Sequence, residues 1–176
     1  CRLEAGWNIR NAATMGGTIV AGDGRSPLLT CLQALGAQVT LEPGSKQVPL
    51  NAFLDSREQS SIPQLITHLH FNLPQSLDYE QVARSPVDRP VVCVALGRIE
   101  SQDGERYITI AIGGFGDFPV RASAAEQAAL EEKALESVVE TAVEVCSQAA
   151  DVWASAEYRS AVVGVLVRRL LADGGA

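Results

Sequence analysis

The sequence predicts an α+β fold, because its strand-like and helix-like segments are grouped along the chain rather than strictly alternating. Two β-branched apolar runs, "RPVVCVALGRIE" (89–100) and "RYITIAIGGF" (106–115), stand next to one another as a strand pair. They are followed by two segments whose apolar residues recur at helical spacing, and preceded by a shorter unit of helix, glycine and strand.

The chain opens on a glycine-rich stretch, "NAATMGGTIVAGDGRSP" (11–27), which reads as a loop. Next, "LLTCLQALG" reads as a short helix stopped at Gly36, "AQVTLE" as a strand, and Pro43-Gly44 as a turn. "QVPLNAFLD" suggests a second extended piece followed by a turn, and "DSREQSSIPQ" a polar connector. "LITHLHFNLP" alternates as a strand and ends at Pro74, which puts His68 and His70 on one face. The composition changes near Leu77, so the chain is divided into units 1–74 and 75–176. In the second unit Asp103-Gly104 marks a hairpin between the two apolar runs. Ser123 and Glu126 have capping-box spacing at the start of "AAEQAALEEK". Leu135, Val138, Val139, Ala142, Val143 and Cys146 form one helical face. In the last helix Ser155 is the expected N-cap, and Tyr158, Val162, Val165, Leu166 and Leu170 the buried stripe. Arg168 and Arg169 are placed to complement its dipole.

At 176 residues the chain is long enough to bury a real core, and its 47% hydrophobic content excludes a disordered segment. A net charge of −7 opposes phosphate backbones and anionic membranes, so nucleic acid is not an expected partner. No apolar run approaches the roughly 18 residues of a membrane span, and no leader is expected. Cysteines 1, 31, 93 and 146 show no C-x-x-C spacing. Cys31, Cys93 and Cys146 are therefore read as small core residues, with a reducing cytoplasm as the expected compartment. The only methionine is Met15, so the sequence is expected to begin inside a longer protein or after processing.

Little in the chain suggests protein-borne chemistry. His68 and His70 lack further ligands at metal spacing, so a hydrogen-bonded or solvated face is expected, with no metal and no catalytic acid or base. No serine stands in a G-x-S-x-G elbow. The glycine-rich opening remains. Gly16 and Gly17 have no Cβ, so a left-handed backbone there could aim successive N–H groups at an anion, flanked by the Thr14 and Thr18 hydroxyls. The stretch matches neither G-x-G-x-x-G nor the lysine-bearing phosphate loop. On the residues alone a structural turn and an anion or nucleotide cradle both stand, with the turn favoured.

"IRNAATMGGTI" (9–19) resembles the second flavin motif, I-R-N-x-A-T-I-G-G-N-I, of the FAD-binding medium subunits of molybdenum hydroxylases, the family of xanthine dehydrogenase and carbon monoxide dehydrogenase. "LDYEQVARSPVDRPVVCVAL" (77–96), "IGGFGDFPVRASAAE" (112–126) and "SAEYRSAVVGVLVRRLL" (155–171) resemble successive parts of the same family's C-terminal domain. The resemblance implies the second half of a PCMH-like FAD-binding domain followed by an antiparallel sheet packed with helices. It implies FAD as cofactor, a molybdopterin-binding large subunit and a 2Fe-2S small subunit as partners, and it allows a dimer of heterotrimers. FAD would pass electrons from iron–sulfur clusters to an acceptor. By motif position, Thr14, Met15, Gly16, Gly17 and Thr18 are implied at the FAD diphosphate.

The chain also departs from the family pattern. Thr18 replaces the usual asparagine, and Pro27 stands where many relatives carry an FAD-contacting aspartate, for which Asp23 is the candidate substitute. The family's first flavin loop, of A-G-G-T type, does not occur. Weak or no FAD binding by these residues alone is therefore expected, and an inactive isolated chain. The alternative is a structural or assembly module of the same complex that holds no flavin.

Overall fold

Large and small side chains alternate along Val92–Gly97, and this alternation decides how the layers stack. In the computed structural model, which describes residues 2–57, 64–100 and 104–173, this segment belongs to a strand buried along nearly its whole length. It is β5 (Val92–Glu100), inside a four-stranded antiparallel meander with β4 (Ser76–Val82), β6 (Arg106–Gly113) and β7 (Val120–Arg121), in the order β4-β5-β6-β7. Val92, Val94 and Leu96 face a large apolar core together with Ile110 and Ile112. Cys93, Ala95 and Gly97 point the other way and pair in register with Gly113, Ala111 and Thr109. That second face is a strip of small residues, and a helix can lie close against it.

The large face is covered by α5 (Ser123–Leu130), α6 (Leu135–Glu144) and α7 (Ala156–Asp173), through Ala125, Ala128, Val138, Val139, Ala142, Val163, Leu166, Val167 and Leu170. The small face receives α3 (Pro27–Ala34), whose Ala34 packs with Ala95 and Ala111. A Cβ on Gly97 would come within 2.6 Å of Thr109 Oγ1 and 3.3 Å of the Ala34 carbonyl oxygen. The buried Thr109 hydroxyl donates to that carbonyl over 2.5 Å, so it ties the end of α3 to the sheet.

The N-terminal half also holds α1 (Trp7–Ala12), α2 (Met15–Ala21), α4 (Leu50–Ser56) and a three-stranded antiparallel sheet. The sheet has β1 (Gln38–Glu42) between β2 (Lys46–Pro49) and β3 (Leu65–His70). Its core joins Ile19, Leu29, Leu32, Val39, Leu41, Leu50, Phe53 and Leu54. The α+β class holds, as do the helix ended by Gly36 in a left-handed conformation (φ 60°) and the strand that follows it.

Several local expectations need correction. The turn expected after "QVP" is the helix α4, because Leu50, Phe53 and Leu54 bury one face at i, i+3, i+4 spacing. The capping box at Ser123 does not form: Ala122 is the N-cap, and Glu126 instead accepts from the Ile110 amide (2.9 Å) and pairs with Arg121 (2.5 Å). In α7, Ser155 accepts from the Tyr158 amide as expected (3.2 Å), yet Tyr158 and Val165 are exposed and the buried face runs through Arg159, Val163, Leu166, Val167 and Leu170. Arg168 and Arg169 stand more than a turn from the end of α7 and pair with Glu136 and Glu80 across element boundaries (2.8 and 2.9 Å). β4 is a third long strand that the apolar pattern did not reveal. Cys1, residues 58–63 of the polar connector and Asp103 of the hairpin lie outside the described residues.

Candidate functional site

A cavity of about 780 Å³ opens beside α1 and α2, within the usual range for a small-molecule site. It is lined by Ile9, Arg10 and Ala12 of α1, by Met15, Gly17 and Thr18 of α2, by Glu4, Thr14 and Leu28, and by one residue distant in sequence, Arg89. Apolar walls with a few polar groups are the usual make-up of a small-molecule site.

The stretch expected to be a loop is helical at its centre. Thr14 is the N-cap of α2, and its hydroxyl oxygen accepts from the Gly17 amide over 3.0 Å. Neither Gly16 nor Gly17 has a positive φ, so the left-handed concavity proposed for them is replaced by the first turn of a helix. A Cβ on Gly17 would approach Thr14 Oγ1 to 2.9 Å, which makes this glycine part of the cap. Thr18 Oγ1 donates back to the Thr14 carbonyl (3.0 Å). The Thr14 hydroxyl hydrogen remains free to donate, and among the described residues the amides of Met15 and Gly16 have no acceptor.

Four of the five motif residues, Thr14, Met15, Gly17 and Thr18, line the cavity together; Gly16 is turned toward Ile66 of β3. Asp23 does not line it. Its carboxylate forms a two-pronged pair with Arg89 and accepts from the Arg25 amide over 2.8 Å. The other charged groups at the cavity are also held. Arg10 donates to the carbonyls of Arg2 (2.6 Å) and Ala5 (3.1 Å). Glu4 accepts from Ser26 Oγ (2.8 Å) and the Leu28 amide (2.7 Å), at the start of α3.

The second half of the opening stretch joins the chain's two halves. The Gly24 amide donates to the Gly116 carbonyl (3.1 Å), and the Arg25 guanidinium donates to the carbonyls of Pro90 (2.9 Å) and Arg89 (2.8 Å). Arg25 also stacks on the Trp153 ring, 4.3 Å from its centroid, with Arg84 on the same ring at 4.9 Å. Burial, then the neighbouring Arg89, lower the Arg25 pKa, with Asp23 acting in the opposite sense. Arg57 donates to the Gly22 carbonyl (2.7 Å) and the Asp117 carbonyl (3.1 Å). No sequence pattern marked Arg25, Arg57 or Arg89, because their partners are 35 to 66 residues away.

The histidines of β3 are exposed and hydrogen-bonded, His70 to Thr40 (3.0 Å) and His68 to Thr67 (3.1 Å), and their rings stack. Among the described residues no group of three or more His, Cys, Asp or Glu side chains is arranged to hold a metal ion. No described helix is long and apolar enough to cross a membrane.

Residues 78–173 match the CO dehydrogenase flavoprotein C-terminal domain, and residues 1–75 match the FAD binding domain in molybdopterin dehydrogenase. The chain is 27% identical to the 6-hydroxypseudooxynicotine dehydrogenase complex subunit alpha of Paenarthrobacter nicotinovorans, covering 93% of this chain and 60% of that protein. It is also 27% identical to the carbon monoxide dehydrogenase medium chain of Afipia carboxidovorans, over 95% of this chain and 62% of the relative. A solved carbon monoxide dehydrogenase from Hydrogenophaga pseudoflava shares the fold, with a TM-score of 0.78, 24% identity and coverage of 96% of this chain and 62% of that one. The chain thus spans about 60% of the length of the curated relatives it matches. With both halves matched in order and the fold shared, the chain belongs to the FAD-binding medium-subunit (flavoprotein) family of the molybdenum hydroxylases.

Proposed function

We propose that these residues form one wall of the FAD site of a molybdenum hydroxylase-type oxidoreductase, with a molybdopterin-binding large subunit and a 2Fe-2S small subunit as partners. When bound, FAD would supply the redox chemistry of electron transfer between iron–sulfur clusters and an acceptor. Residues 1–74 would shape the flavin site and 75–176 would brace it. The observation that carries this reading is the gathering of Thr14, Met15, Gly17 and Thr18 around a single cavity.

The donor set supports the assignment. The free amide of Met15 and the Thr14 hydroxyl would bind diphosphate oxygens, while Ile9, Met15 and Leu28 supply apolar wall. Asp23 is proposed to act behind the site rather than on the cofactor, since its carboxylate is taken up by Arg89 and Arg25. A wall with so few free donors predicts weak binding: the purified chain carries no stoichiometric flavin band, yet takes up FAD in equilibrium dialysis with a Kd of about 10 μM to 1 mM. A stoichiometric band after purification would refute the weak-site reading. Absence of saturable uptake would refute flavin binding by these residues on their own and favour the structural or assembly module.

A further inference from the structure

We infer that Arg89 is the cationic ligand for the anionic group of the cavity's occupant, and that Asp23 is the positioning residue that aims it. The inference rests on the FAD reading above and adds to it a residue from outside the glycine motif.

Among the described residues, every other one lining the cavity lies between Glu4 and Leu28, whereas Arg89 comes from the segment joining β4 to β5. Its side chain is 45% exposed although it is ion-paired, so the guanidinium is held at a surface and not sealed into a core. The pair with Asp23 engages one N–H on each terminal nitrogen. A guanidinium carries five N–H groups, which leaves Nε–H and the second hydrogen of each terminal nitrogen for an oxyanion. Asp23 is fixed in turn by the Arg25 amide, and Arg25 is fixed by the carbonyls of Pro90 and Arg89. The fork therefore sits in a closed ring of contacts that sets its direction before any ligand arrives.

The cavity needs such a group. A diphosphate brings two negative charges, while Thr18 has turned its hydroxyl into its own helix and Gly17 has given its amide to the Thr14 cap. Of the two arginines on the wall, Arg10 has its Nη1 engaged by two backbone carbonyls of residues 2–5. Both guanidinium groups are planar and each keeps three N–H groups; Arg89 is the one whose direction is set by a carboxylate, Asp23, that is itself held by the Arg25 amide.

The test compares ligands that share the flavin ring and differ in phosphate. FAD, FMN and riboflavin are titrated into the wild-type chain, R89M and R89K, with thermal melts to verify folding. The expected result is a loss of FAD affinity of about tenfold or more in R89M, a smaller loss in R89K, and riboflavin binding unchanged within about twofold. Equal loss for FAD and riboflavin, or no loss for either, overturns the inference. Should R89M not fold, the wild type decides: FAD binding must weaken with added salt more steeply than riboflavin binding, and equal salt responses overturn the inference. A wild-type chain that takes up no FAD overturns flavin binding by these residues on their own, and this inference with it.

Discussion

The Gly114 amide donates to the Gly24 carbonyl over 2.6 Å, so two glycine-bearing loops from opposite halves of the chain meet backbone to backbone. The Cβ position of Gly24 is already filled by the Phe115 carbonyl oxygen, and a Cβ on Gly113 would lie 2.8 Å from the Gly24 carbonyl oxygen. The joint between these two loops therefore depends on the absence of side chains, not on a special backbone angle at Gly24.

Replacing Gly24 with alanine is expected to destabilise the chain by about 3 kcal/mol, as overpacking against backbone leaves no flexible neighbour to move. Denaturant unfolding of G24A measures this. A change within about 0.5 kcal/mol would show that the two loops are not pressed together.

Arg159 is completely buried and donates to the carbonyls of Val91 (3.2 Å), Ala154 (3.3 Å), Gly114 (3.4 Å) and Ala149, with Asp151 as its ion-pair partner at 2.8 Å. R159M strands Asp151 and several carbonyls, and a loss of about 3–5 kcal/mol is expected. Burial opposes ionisation of Asp151, but the hydrogen bonds from Arg159, Trp153 and Ala154 outweigh it and bring its pKa below the ordinary 3.8. A depressed carboxylate pKa contributes stability that is present above the unfolded value and lost as pH falls through the folded one. D151N should therefore flatten the acid limb of the stability curve below about pH 4.

Glu126 and Ser123 separate the two accounts of how α5 begins. E126A leaves the Ile110 amide without its acceptor and is expected to cost about 1–3 kcal/mol. S123A is expected to stay within about 0.5 kcal/mol, because Ser123 makes no capping bond. Urea melts in which S123A loses as much as E126A would restore the capping box.

Burial pushes the thiol pKa values of Cys31, Cys93 and Cys146 up to about 11, so these groups should resist an alkylating reagent at pH 8 in the native chain and react in denaturant. Mass-spectrometric mapping of labelled peptides checks each site. The raised values also set a sign: the contribution to stability is complete below the unfolded thiol pKa of 9.0 and declines as pH climbs to about 11. Burial moves the Tyr79 phenol in the same direction. Alkaline unfolding that began well below pH 9 would contradict this.

The sequence by itself determined the fold class, the helix stop at Gly36, the Ser155 cap and the family, since each rests on local spacing or an ordered motif. The large and small alternation of "VVCVALG" was also legible in principle, because period 2 on a strand separates the face under α5 to α7 from the face that takes α3. Period 3.6 in "LNAFL" would likewise have revealed α4. Only the tertiary structure decided what the glycine-rich opening does. Its first half is a capped helix whose residues line a cavity, and its second half is the seam to the C-terminal sheet. Asp23 meets Arg89 across 66 residues, and Glu126 reaches the neighbouring strand instead of its own helix start. Charged side chains follow the lowest electrostatic and desolvation cost in three dimensions, and a spacing rule along the chain cannot anticipate a partner that folding brings from elsewhere.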